Sequence, residues 1–168
     1  MSFWENILVG VVSGIVATVI FFLVMLLVKP RLIVSEEICK KNAEKPIYQI
    51  KVVNLSKHML TNLRYSLQYA VSKGDGINEV INVPPLKDCL FFVDKYDKND
   101  KESKYAIRIS FKINESKQPL NESGCYIFTF FAQHSVSNTV TCIRQVYKSG
   151  NIIQGVFETG KSTKILRA

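Results

Sequence analysis

The sequence predicts a mainly β protein in which a single N-terminal transmembrane helix precedes an antiparallel β-sandwich. Three observations carry that prediction. Residues Ile7 to Val28 contain no ionisable side chain; apolar residues after Lys29 recur with a period of two; and Gly, Pro and Asn clusters divide these runs at hairpin spacing.

A helix over 7–28 rises about 33 Å, enough to cross a hydrocarbon core of about 30 Å. Its only polar members are Ser13 and Thr18, so it lacks the polar stripe of a helix packed on a globular core. Residues 1–6 contain Glu5 and neither Lys nor Arg. The apolar run is too long for a cleaved leader and ends in Val28-Lys29-Pro30 rather than in small residues. The expected organisation is a short extracytoplasmic tail over 1–6, a transmembrane helix over 7–28, a basic juxtamembrane segment with the first strand over 29–46, and a β-sandwich domain over 29–168. Gly10, Gly14 and Thr18 fall on one helix face at a spacing that lets two helix backbones approach closely in lipid, which points to self-association as a homodimer.

Charge sets the expected orientation. All 22 Lys and Arg follow the helix, whereas Glu5 alone of the 14 Asp and Glu precedes it, so the following part is more basic than the whole chain at +8. Lys29, Arg31, Lys40, Lys41 and Lys45 lie close after the helix in sequence. The positive-inside rule therefore places the N-terminus outside and the domain in the cytoplasm, with these five residues as a membrane-surface basic group. Lys- and Asn-rich usage suggests a bacterial inner-membrane protein. Cys39, Cys89, Cys125 and Cys142 form no Cys-x-x-Cys pair, and in a reducing compartment they read as small apolar fillers. Asn-x-Ser sequons at Asn54, Asn114 and Asn121 would matter only in a secretory lumen.

Beyond Pro30 the helical period is lost. Leu63, Tyr65, Leu67, Tyr69 and Val71 alternate with polar or small residues, as do Tyr105, Ile107, Ile109, Phe111 and Ile113. Such alternation is that of half-buried strands, whose successive side chains point to opposite faces. Further strands are expected over Leu32–Ile38, Ile47–Asn54, Ile77–Val83, Cys89–Val93, Cys125–His134, Thr139–Tyr147 and Ile152–Glu158. Lys73-Gly74-Asp75-Gly76 and Ser149-Gly150-Asn151 supply hairpin turns, and Pro84-Pro85 ends the strand before it. The run from Cys125 to His134 is apolar on both faces, as expected of a central strand. Its second face, with Phe131, Gln133 and His134, is the part of the domain where a ligand or partner would be sought.

Phe128 to Gly160, with Ser137-Asn138-Thr139, Cys142, Tyr147, Ile152-Ile153, Gly155 and Phe157, resembles the last strands of the cytoplasmic immunoglobulin-like sandwich of inward-rectifier potassium channels. The resemblance implies an immunoglobulin-like sandwich. The channels' second transmembrane helix and Thr-x-Gly-Tyr-Gly filter have no counterpart here, so it extends to fold and not to conduction.

Catalytic chemistry finds little support in these residues. His58 and His134 lie in no His-Glu-x-x-His motif, and neither has a ligand-spaced Cys, Asp or Glu beside it. The 97–102 run lacks the turn glycine of an EF-hand, and its lysines cancel much of its field. No phosphate-binding Gly-x-x-x-x-Gly-Lys and no Gly-x-Ser-x-Gly elbow occurs. The lysines are scattered rather than striped, which disfavours nucleic acid. The expected function is that of a non-enzymatic, cofactor-free binding or adaptor module, single-pass in the membrane, whose partners are the bilayer and a protein or small ligand. The alternative is a sensor-effector whose sandwich takes a small anion such as a nucleotide and whose helix clusters in the membrane.

Overall fold

In the computed structural model of the chain, residues 3–27, 29–41, 46–72, 78–87, 90–114, 116, 118 and 124–167 are described. Lys45, the Gly74-Asp75-Gly76 turn, Cys89 and Asn121 lie outside them.

Helix α1 spans Phe3–Leu27, so it begins four residues before the expected Ile7 and takes up most of the expected tail. Phe3 and Trp4 are apolar enough to continue the run, and Glu5 in the first turn complements the positive end of the helix dipole. The span from Phe3 to Met25 is long and apolar enough to cross a membrane, and none of it is buried against the domain.

Eleven strands follow among the described residues: β1 (Leu32–Val34), β2 (Ile38–Lys41), β3 (Ile47–Asn54), β4 (Leu60–Ser72), β5 (Asn78–Val83), β6 (Phe92–Val93), β7 (Ala106–Phe111), β8 (Gly124–His134), β9 (Val140–Tyr147), β10 (Ile152–Phe157) and β11 (Ile165–Arg167). They form two sheets. In the first, β3 pairs with β7 on one side and with β1 and β2 in succession on the other; β10 then joins β2, and β11 joins β10. In the second, β8 lies between β4 and β9, and β5 and β6 share the outer side of β4.

The two inner faces share one apolar core. Tyr126, Phe128, Phe130 and Ala132 of β8 pack with Tyr48, Ile50, Val52, Ile109 and Phe111 of the opposite sheet, and the rings of Phe111 and Phe128 meet edge to face. The central position expected for the aromatic strand is the observed one. Its outer residues Cys125, Ile127 and Thr129 are half-buried, while Phe131 is exposed.

The expected strand 32–38 is broken. Leu32 pairs with Asn54 but Cys39 pairs with Gln49, so the 35–37 segment adds residues to one side of the ladder and separates β1 from β2. The irregularity is satisfied from both sheets. Ser35 exchanges hydrogen bonds with the Lys51 backbone, and its carbonyl accepts the Tyr147 hydroxyl at 2.8 Å. Burial holds the Tyr147 pKa well above its ordinary value.

Contrary to a purely antiparallel expectation, β10 runs parallel to β2. A hairpin cannot make that pairing; the chain crosses from β9 in one sheet to β10 in the other through the Ser149-Gly150 turn. β10 extends the first sheet beyond β2, and the end of β10 with the loop that leads to β11 then reaches across the outer face of that sheet as a strap. Lys51, which alternates with core residues Ile50 and Val52, is buried beneath this strap. Its Nζ donates to the carbonyls of Glu158 at 2.5 Å and Ser162 at 2.7 Å. Gly155 sits where a Cβ would stand 2.1 Å from the Leu166 carbonyl oxygen, so the strap closes only over glycine.

Candidate functional site

Where α1 meets the domain, the chain is fastened rather than loose. Arg31 N–H donates to Ser56 Oγ at 2.7 Å, and Leu55 N–H donates to the Arg31 carbonyl at 2.8 Å. These bonds tie the segment after the helix to the β3–β4 loop. Asn54, fully buried, holds the loop from beneath: its Nδ2 donates to the carbonyls of His58 and Asp94, and its Oδ1 accepts the Ser56 N–H. With its amide spent on three bonds and no exposed surface, Asn54 could not carry a glycan in this fold, whatever its sequon.

This frame encloses a cavity of about 420 Å³ lined by Lys29, Arg31, Leu55, Ser56, Lys57, His58 and His134. Three lining residues are permanent cations, two are imidazoles, and none is acidic. The His58 and His134 rings meet edge to face, with centroids 5.1 Å apart. His134 is 1% exposed, and its Nδ1 accepts the Ser137 N–H at 3.2 Å. That bond puts the proton of the neutral ring on Nε2. Ser137 Oγ lies 3.0 Å from the same nitrogen and 2.7 Å from Thr139 Oγ1, completing a polar network in the β8–β9 turn. Burial, and then the neighbouring His58, lower the pKa of His134 below its ordinary value. The cavity presents N–H donors and fixed positive charge, which suit the reception of an anion.

The structure sorts the sequence-predicted residues unevenly. Phe131, Gln133 and His134 do not form one face: Phe131 and Gln133 lie on the outer face of the second sheet, while His134 turns to the opposite side and enters the cavity. The period of two that defines the strand requires this separation. It also separates His134 from Cys142, which is exposed on β9 opposite Phe131, so no Cys–His dyad forms there.

The membrane-surface basic group divides as well. Lys29 and Arg31 stand at the junction, but Lys40 pairs with Tyr48, six residues along β3 from the Asn54–Leu32 pair. At about 3.3 Å per residue that is about 20 Å, well beyond a Debye length of about 8 Å. Lys40 instead lies over the Tyr48 ring, 5.7 Å from its centroid, and Lys41 follows it away from the junction. In their place Lys57 and His58, distant in sequence, join Lys29 and Arg31. Gly10, Gly14 and Thr18 do share one face, lining a shallow groove of about 430 Å³ in which a Cβ added at either glycine would touch nothing. Thr18 donates back to the Gly14 carbonyl at 2.8 Å.

A second cavity, of about 410 Å³, lies beside the strap with Lys51, Arg108 and Glu102 among its lining residues. Its cations are occupied: Lys51 on two carbonyls, Arg108 on that of Phe157. In the 97–102 run the carboxylates of Asp97 and Asp100 cap backbone N–H groups of their own loop. Among the described residues no group of three or more His, Cys, Asp or Glu is placed to hold a metal. Cys39 and Cys125 are free thiols, buried and half-buried, and Cys142 is a free exposed one. Comparison of the chain with known protein families and with curated proteins finds no match to either.

Proposed function

We propose that the chain is a single-pass membrane protein, amino end outside, whose cytoplasmic sandwich is a non-enzymatic binding module for a phosphate-type anion at the helix–domain junction. The observation that carries this reading is the cavity itself: Lys29, Arg31, Lys57, His58 and His134 converge with no carboxylate among them, on a loop pinned by buried Asn54. The basic residues after the helix support the orientation. The sandwich fits an immunoglobulin-like type, with a first strand in two pieces that both pair antiparallel with β3, the second of them also pairing parallel with β10. An adaptor role follows if a membrane component carries the anionic group, because the tether confines the module to the bilayer.

The test uses the full chain in zwitterionic detergent micelles, titrated with inorganic pyrophosphate while thermal unfolding is followed. Saturating ligand raises Tm, and the Arg31→Gln/Lys57→Gln double variant loses the rise. An unchanged Tm in the wild-type chain overturns the reading.

A sensor-effector reading is favoured by one further observation, the open groove at Gly10, Gly14 and Thr18, which supports clustering of helices in lipid. It requires that nucleotide binding in the same cavity increase crosslinked dimer in membranes, and that Gly14→Leu abolish the increase.

A further inference from the structure

We infer that the anion held by the junction cavity is the phosphate of a bilayer lipid, and that the end of the sandwich bearing the cavity docks on the membrane that α1 crosses; this rests on the anion-binding reading above. Sheet register fixes which residues share that end. Leu60 at the start of β4 pairs with both His134 and Val93, and Ser135 N–H donates to the Met59 carbonyl. The β3–β4 loop, β6 and the β8–β9 turn are therefore neighbours around the cavity.

These segments expose large apolar side chains that the core does not use. Phe91 is 79% exposed, Phe92 55%, Val136 63% and Met59 40%. Phe92, Thr61, Gln133 and Val140 form one cross-strand row, with exposed Phe92 and Val140 at its two ends and polar Thr61 and Gln133 between them. Apolar tips around a basic pocket are the arrangement that a lipid interface rewards, the tips entering the acyl boundary while cations meet phosphates. The nearby 94–104 loop does not oppose it: Asp94, Asp97, Asp100 and Glu102 are matched by Lys95, Lys98, Lys101 and Lys104.

Chain length supplies the occupant. Lys29 is two residues beyond Leu27, the last residue of α1, so the cavity's first cation stands where the helix leaves the hydrocarbon. Whatever the domain meets in the cytoplasm, headgroup phosphates are within reach of Lys29 throughout.

The test reads depth directly. Phe92→Trp is made in a Trp4→Phe full-length chain, leaving one indole, and the protein is reconstituted into vesicles containing brominated acyl chains. The vesicles are phosphatidylcholine alone, or an equal mixture with phosphatidylglycerol. We expect quenching to rise about threefold in the anionic vesicles, and Arg31→Gln/Lys57→Gln to abolish the rise while α1 remains inserted. If the indole at position 92 is unquenched in both vesicles although pyrophosphate still raises Tm in micelles, the cavity serves a soluble phosphate; docking is overturned and the anion site stands. If neither signal is seen, both fall. Quenching that is equal in both vesicles and unaffected by the double variant overturns the lipid-phosphate assignment.

Discussion

Two residues fix the shape of the junction site, and each has a measurable consequence. Asn54 satisfies three backbone groups at once; Asn54→Ala leaves them buried without partners, at roughly 1–3 kcal/mol for each group left unsatisfied. Urea unfolding of the variant should show a lower midpoint with little change in m-value, and anion binding should weaken because His58 loses its anchor. His134 contributes to acid sensitivity. Its folded pKa lies below that of the unfolded chain, so below about 6.5 the unfolded state binds the extra proton and stability falls with pH. His134→Gln should remove that part of the acid slope. A bound phosphate would act in the opposite sense, favouring the charged ring and drawing the pKa upward. At this scale the sequence was half legible. Alternation along 125–134 already places His134 opposite Phe131 and Gln133, but nothing local pairs it with Lys57 and His58 across the loop.

Among the elements, the strap formed by β10 and β11 was the least legible. β11 is three residues long, too short to show a period, and the parallel pairing of β10 with β2 joins residues more than a hundred positions apart. The long strands, by contrast, follow their alternation closely, because each has one face in a continuous core. The strap makes two predictions. Gly155→Ala drives a methyl into the Leu166 carbonyl and should cost several kcal/mol or detach β11, seen as loss of amide protection over 165–167. Lys51 is held at a pKa of about 8 by burial, with Arg108 adding to the effect and Glu158 opposing it. Between about pH 8 and the unfolded value near 10.5 the unfolded chain holds one more proton, so stability rises with pH there. The neutral amine still donates to both carbonyls, so the strap stays fastened. Lys51→Met should lack this rise and be less stable at pH 7, since it leaves the Glu158 and Ser162 carbonyls without their donor.

For the whole molecule, the apolar run and the alternation beyond it were enough to give a helix followed by two packed sheets. The proposed orientation is checked through Cys142, exposed on the edge strand β9. A membrane-impermeant maleimide should label this position in everted vesicles and not in intact cells, with Cys142→Ser as the reference; labelling in intact cells reverses the topology.

Only Val28, Lys29 and Pro30 separate the end of α1 from Arg31, whose backbone is bonded on both sides to the β3–β4 loop. A leash of that length spans at most about 14 Å even when fully stretched. On the proposed topology the cavity is offered to the lipid surface at an effective concentration on the order of millimolar or higher. It can remain filled with an intrinsic affinity so weak that short-chain lipids in free solution would barely register.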